Sequence, residues 1–328
     1  MRRWTRTIAA VGLAVVLAGV TACGGARGGG DGADGAAYSG GRLSIATGNT
    51  TGVYYQLGGG YADLISHNIP GYTATAEATG ASVENLQRVA SGSSDIAFTL
   101  ADSAADAVAG TGSFTQPQPI RALSRIYTNY TQVIVRSDAG IATVADMAGK
   151  RVSTGSPNSG TEVIALRLLQ AANLDPDTGV QRQALSLPET VQGMKDGTID
   201  AMFWSGGLPT GGITDLTTSL GTGVTFVPLD GLLPAMQTQH GPVYQAASIP
   251  ASTYGLPGDV ATIGVPNLLV VNADMPDELA ASLTNLLFDK QADLEKVHPE
   301  AANISRDTAP DTAPVPLHPG AQRALGGS

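Results

Sequence analysis

The sequence predicts an α/β protein of two lobes, each lobe built on a mainly parallel sheet. Three observations predict it. From Arg42 onward, short strand-like runs alternate with helix-like runs, the pattern of parallel sheets with crossover helices. Glycine and hydroxyl residues cluster where a strand hands over to a helix. Taken with the 328-residue length, the alternation suits two lobes of about 120 to 150 residues.

The elements follow in order. Leu43–Ala46 reads as a strand, Thr47–Tyr55 as a turn, and the chain to Ile65 as a helix. The plan repeats with strand Tyr72–Ala78, turn Thr79–Asn85 and a helix from Leu86. Asp95–Leu100 is a third strand, with a short helix over Ala104–Ala109. Ala122–Tyr127 and Gln132–Arg136 are two further strands, the second rich in β-branched residues. Val144–Lys150 reads as a short helix ended by Gly149, and Arg151–Ser153 as a strand. Thr154–Thr161 is another glycine and hydroxyl turn, and Glu162–Gln170 an amphipathic helix. Ile199–Trp204 is a strand that leads into Ser205-Gly206-Gly207.

These turns are where chemistry is expected. The first N–H groups of a helix lack an internal partner and carry partial positive charge. They form a seat for a carboxylate or similar anion. Glycines admit a ligand to the backbone, and Thr/Ser hydroxyls cap the helix or touch the ligand. Ligands in open parallel sheets bind at the carboxyl ends of strands, and all the turns named lie at that end. Binding candidates in the first turn are Thr47, Gly48, Thr51 and Gly52, with Tyr54 or Tyr55 as a cavity wall. The second turn offers Gly80, Ser82 and Asn85. Ser82 equally suits a cap for a helix starting at Val83. Asp102 is either a helix cap or an acceptor for a ligand ammonium. Ser159, Gly160 and Thr161 form the second lobe's anion seat. Trp204 either stacks over a ligand or fills the core, and Gly206 follows it. Arg125 and Arg136 are candidate carboxylate clamps, or ordinary salt-bridge residues.

The amino terminus reads as an address. Met1–Arg6 is basic, Ile8–Val20 is apolar or small, and Val20-Thr21-Ala22-Cys23 resembles a bacterial lipobox. Residues 1–22 are expected to be a lipoprotein signal peptide, with lipid carried on Cys23, the single cysteine. Residues 23–41, rich in Gly, Ala and Asp, are expected to be a flexible tether. The chain would then be exported and held on the outer face of the cytoplasmic membrane through that lipid only. Removing 22 residues leaves 306, with three arginines lost. Fifteen basic residues then face 28 acidic ones, a balance of −13. That argues against nucleic acid, which requires a basic footprint.

Motifs for catalysis are weak. His67, His240, His298 and His318 fall outside the strand-end turns, and none makes a zinc spacing. No Gly-x-Ser-x-Gly elbow occurs. The expectation is a binding protein with no metal and no cofactor. A hydrolase using Ser82 or Ser159 is the weaker alternative.

Eight short segments in series carry a family resemblance. They are Thr47–Tyr55, Thr79–Asn85, Ser94–Ala97, Gly149–Val152, Ser159–Glu162, Asp196–Ala201, Ile249–Tyr254 and Pro316–Ala321. With them the chain resembles the TAXI family, the extracytoplasmic solute receptors of tripartite ATP-independent periplasmic (TRAP) transporters. The resemblance implies a type II periplasmic-binding-protein fold, two lobes closing by hinge crossovers on a small carboxylate. That ligand would be a glutamate-like amino acid or a 2-oxo or dicarboxylic acid. It also implies delivery to a TRAP membrane permease. The same fold would serve an ABC importer or a sensor. Lobe 1 is expected over 42–132 plus 250–328, and lobe 2 over 133–249. The sequence departs from the family at Ala81, where a second glycine is usual, at Thr51, and at Ala101-Asp102. The usual last helix is expected to be short or missing.

Overall fold

The computed structural model describes residues 40–326; the expected signal peptide, Cys23 and nearly all of the tether lie outside them. The chain runs β1 (Gly41–Ala46), α1 (Val53–Asn68), β2 (Tyr72–Glu77), α2 (Ser82–Ala90), β3 (Ile96–Leu100), α3 (Ala101–Ala109) and β4 (Ile120–Arg136). There follow β5 (Arg151–Ser153), α4 (Gly160–Ala171), β6 (Gln181–Gln183), α5 (Leu187–Asp196), β7 (Ala201–Gly206), α6 (Gly211–Leu220) and β8 (Val224–Phe226). The remainder is α7 (Leu233–His240), β9 (Gln245–Ile249), α8 (Ala251–Tyr254), β10 (Val260–Asn272), α9 (Asp277–Asp289), α10 (Gln291–Val297) and α11 (Pro319–Ala324). Gly41, placed in the tether by the sequence, already pairs in β1, donating its amide to Gly71 at 2.8 Å. The last helix is short, and His318 begins it, accepting from the Gly320 amide at 3.2 Å.

The strands line up as β2-β1-β3-β10-β4-β7-β5-β6, with β8 added to β4 and β9 to β10. β1 is parallel to β2 and β3, and β5 is parallel to β6 and β7. The two strands in the middle break the parallel plan. β10 runs antiparallel to β3 and β4, and β4 runs antiparallel to β7. The sequence reads β4 as two strands. Thr128-Asn129-Tyr130-Thr131 stays extended between them, giving one strand of 17 residues, about 55 Å long at the usual rise. Its first part pairs with β10, and its second part with β7 and β8. β10 is shared likewise, pairing with β9 over Val260–Gly264 and with β3 over Asn267–Val271. Its ladder with β4 shifts register between Pro266 and Leu268. Pro266 has no amide to give to a ladder, and such positions become bulges.

Apolar alternation along the strands builds two cores on each side of that crossover. Leu43, Ile45, Ile96 and Phe98 face a cluster that includes Leu57, Tyr61, Leu123, Leu283 and Leu287. Their neighbours Ala46 and Ala97 face the opposite cluster with Leu86, Val89 and Val270. Past the crossover, Val133 and Val135 pack with Leu168, Phe203 and Tyr244. Ile134 turns the other way, toward Met202, Ile213 and Phe226. The result is a two-lobed mixed α/β fold, the two lobes joined through β4 and β10.

Candidate functional site

Between the lobes lies a narrow cavity of about 30 Å³. Its walls come from the turns before α1, α2 and α4 and from the end of β7. Gly48, Asn49, Gly52, Val53 and Tyr54 contribute from the first turn. Gly80, Ala81 and Ser82 contribute from the second. Ser156, Ser159, Gly160 and Thr161 face them from the other lobe, with Trp204, Ser205, Gly206 and Gly207 at one end. Leu100, Tyr127 and Asn129 complete it. Each lining side chain is uncharged, and the starts of three helices of 16, 9 and 12 residues meet there. Helix starts carry partial positive charge, here partly spent: the Glu84 amide goes to the Asn158 carbonyl and the Glu162 amide to Ser159 Oγ, and Glu84 and Glu162 stand in the first turns of α2 and α4.

The local sequence positions each wall. Gly52 precedes α1 in an extended conformation, and a Cβ there would stand 3.6 Å from the Trp204 ring. Tyr54, buried at 8% exposure, donates its hydroxyl to Asn267 Oδ1. Asn267, at the bulge in β10, donates to the Tyr127 carbonyl at 3.2 Å and to Asn129 Oδ1 at 2.8 Å. Burial drives the Tyr54 hydroxyl far above the ordinary tyrosine range, so it stays protonated and a donor. Ser159 caps α4, accepting from the Glu162 amide at 2.9 Å. Thr161 Oγ1 accepts the Ser205 amide at 3.1 Å and ties α4 to β7. Trp204 donates its indole N–H to Thr210 Oγ1 at 3.1 Å. The hydroxyls of Tyr127 and Ser205 are buried without a hydrogen-bond partner. Such groups are uncommon in folded proteins and call for a reason.

The lobes touch at the lips of this cavity. The Glu84 amide donates to the Asn158 carbonyl at 3.1 Å. Asn49 donates to Ser156 Oγ and accepts from the Leu187 amide, both at 3.4 Å. Gly160 sits so near α2 that a Cβ there would lie 2.5 Å from Leu100 Cδ1 and 2.6 Å from Ser82 Oγ.

Of the residues singled out from sequence, Gly48, Gly52, Tyr54, Gly80, Ser82, Ser159, Gly160, Thr161, Trp204 and Gly206 lie on the wall. Five lie off it. Thr47 is fully buried and donates to the Glu77 carbonyl at 2.6 Å. Thr51 and Tyr55 lie off the wall: Thr51 lines a separate depression, and Tyr55, about a quarter-turn round α1 from Tyr54, is half-buried. Asn85 turns into the sheet, giving its amide to the carbonyls of Thr47 at 2.7 Å and Phe98 at 2.8 Å. Ser82 does not cap a helix from Val83. The helix begins at Ser82 itself, whose Oγ accepts the Leu100 amide at 3.1 Å.

Asp102 faces away from the cavity. Its Oδ1 accepts the Ser103 amide at 2.6 Å, and its Oδ2 accepts Tyr244 Oη at 2.7 Å, with Arg167 Nη1 at 3.6 Å. Arg167 also reaches Asp106 at 2.6 Å. Burial raises the Asp102 carboxyl above its ordinary range, and Arg167 opposes the rise. Arg136 binds Asp138 and the Met194 carbonyl, and Arg125 lines an outer depression, so neither stands at the cavity.

Asn49, Val53, Ala81, Leu100, Tyr127, Asn129, Ser156, Ser205 and Gly207 line the cavity without having been read from sequence. Asn49, Ala81, Ser156 and Gly207 fall inside turns already marked, so neighbourhood was the available signal. Tyr127, Asn129 and Ser205 sit in strands, where alternation alone does not say which face meets a ligand.

The architecture is that of the two-lobed binding proteins. A binding-protein component of an ABC phosphonate transporter from Pseudomonas aeruginosa matches with a TM-score of 0.55, at 14% identity over 80% of each chain. MatC of Rhodopseudomonas palustris, solved with malate, matches with a TM-score of 0.53 at 15% identity, over 87% of this chain and 97% of that one. A Xanthomonas citri protein bound to ATP matches with a TM-score of 0.51 at 13% identity, over 87% and 94%. The chain belongs to the NMT1-like family, whose model matches residues 45–326.

Proposed function

We propose that this chain is the extracytoplasmic solute receptor of a transporter, which captures a small carboxylate between its lobes and hands it to a membrane permease. The observation that carries the reading is the meeting of three helix starts, from both lobes, on one cavity walled by uncharged side chains. A carboxylate there would accept main-chain N–H groups from α1 and α2 on one side and α4 on the other, so binding would favour closure. Tyr54 and Trp204 would pack on its carbon skeleton. The eight family segments favour a TRAP permease over an ABC importer. The lipobox favours an exported chain, lipid-anchored through Cys23. Lobe 1 would comprise 42–132 plus 250–328, and lobe 2 133–249. The role is binding, not turnover.

Calorimetry on the purified chain against dicarboxylates, 2-oxo acids and amino acids tests the ligand class. Heat from at least one group, with a rise in melting temperature, is the expected result. Absence of both with every member would end the carboxylate reading. A multi-span permease gene beside this one, rather than an ATPase gene, is the expected neighbour.

A further inference from the structure

We infer that the cavity selects carboxylates that carry no ammonium group, 2-oxo or 2-hydroxy acids in preference to α-amino acids. This rests on the carboxylate reading above and adds the substituent at C2.

The inference comes from the charges around the cavity. An ammonium taken out of water must meet a carboxylate or a full set of carbonyl acceptors, or it costs more than the contacts around it return. The lining side chains are neutral. The helix starts that suit an anion also repel a cation. Glu84 is spent at the wall itself, its Oε2 accepting the Gly80 amide at 2.7 Å and its Oε1 accepting Arg88 Nε at 2.9 Å, and two buried carboxylates lie close behind the wall, both turned from it. Asp102 follows the lining residue Leu100 by two positions, but its oxygens are held by Ser103, Tyr244 and Arg167. Glu300 lies behind Gly207. Its Oε1 accepts the Leu208 amide at 2.5 Å and its Oε2 accepts Asn303 Nδ2 at 2.8 Å. To reach a ligand, either acid would have to abandon a satisfied buried network.

The groups that remain suit a neutral oxygen. Tyr127 and Ser205 line the cavity at 2% and 7% exposure, and neither hydroxyl has a partner within the protein. A hydroxyl donates to a 2-oxo carbonyl, and it donates to or accepts from a 2-hydroxyl. Toward an ammonium the same hydroxyls are weak acceptors with no balancing charge.

The test uses ligand pairs with one skeleton: pyruvate, lactate and alanine, then 2-oxoglutarate, 2-hydroxyglutarate and glutamate. The full chain is unfolded, freed of carried-over ligand, refolded and titrated by calorimetry. The oxo or hydroxy acid is expected to bind tighter than its amino partner by roughly tenfold or more, the effect of leaving a charge unpaired. Tyr127→Phe and Ser205→Ala are each expected to weaken the oxo acid by roughly fivefold without lowering the melting temperature of the free protein. An amino acid that binds as tightly as its oxo partner overturns the inference and leaves the carboxylate reading standing. Unchanged affinity in both variants also overturns it. Silence from every ligand overturns both readings together.

Discussion

Ala81 holds φ 86° and ψ −147°, a region that glycine enters freely and a Cβ resists. It is kept there by its neighbours. The Ala81 amide donates to Thr79 Oγ1 at 3.0 Å, and the Ala81 carbonyl accepts the Asn85 amide at 3.0 Å. The methyl group forms part of the cavity wall. Ala81→Gly should release strain and stabilise the fold by about 1 kcal/mol, the low end for such outliers, as read by urea unfolding. A destabilised variant would show that the backbone has no strain to release. Asn85 behaves differently. An asparagine at the end of a glycine and hydroxyl turn looks the same in sequence whether it faces a ligand or a sheet. The Asn85 side-chain amide serves three carbonyls, those of Ala46, Thr47 and Phe98. Asn85→Ala should therefore lower stability by roughly 2 to 3 kcal/mol. A loss of affinity with stability intact would return Asn85 to the site.

The helices of the two lobes are bolted together away from the cavity. Arg167 in α4 meets Asp102 and Asp106 in α3, and Tyr244 Oη accepts from Arg167 while donating to Asp102. With Arg167 only 13% exposed and Asp102 sealed, removal of the cation would strand a buried carboxylate. Arg167→Met should cost roughly 3 to 5 kcal/mol, the range for breaking a buried pair. Adding Asp102→Asn to it should recover part of the loss, which denaturant titration of the two variants would reveal. Nothing in the sequence pairs Arg167 with Asp102. Their 65-residue separation leaves partner choice to the fold. Element starts were legible, because glycine and hydroxyl residues before an apolar run have a local cause in capping and close approach. The continuity of β4 was not legible. Polar Thr128, Asn129 and Thr131 look like a loop until β10 and β7 supply their ladder partners.

At the scale of the whole molecule, the tight approach of Gly160 to α2 limits how near the two lobes can stand. Gly160→Ala would press a methyl group on Leu100 and Ser82. Ligand affinity should fall by roughly tenfold or more, and ligand-free melting should fall as well, because α3 and α4 hold the lobes together there too. Small-angle scattering with ligand should then give a larger radius than for the parent chain, and an unchanged radius would refute the account. Acidity acts on the whole fold through His298. Its Nδ1 accepts the Glu300 amide and its Nε2 faces the Pro209 carbonyl, both at 3.1 Å. Burial lowers its pKa. The unfolded chain therefore takes up this proton first as pH falls, so this contribution to stability is complete above about pH 6.5 and is lost below it. Burial raises the Glu300 carboxyl, which acts in the opposite sense, its penalty easing as pH falls. His298→Gln should flatten the decline of melting temperature between about pH 7 and 5.5, and an unaltered slope would count against it. The shared strands also impose an order in time. β3 lies between β1 and β10, and the core over α1 is filled by Leu269, Leu283 and Leu287. The half made first by the ribosome thus cannot finish packing until the half made last arrives. A nascent chain cut near residue 250 should show little native circular dichroism, and an intact one should gain it only once its last strand has been released.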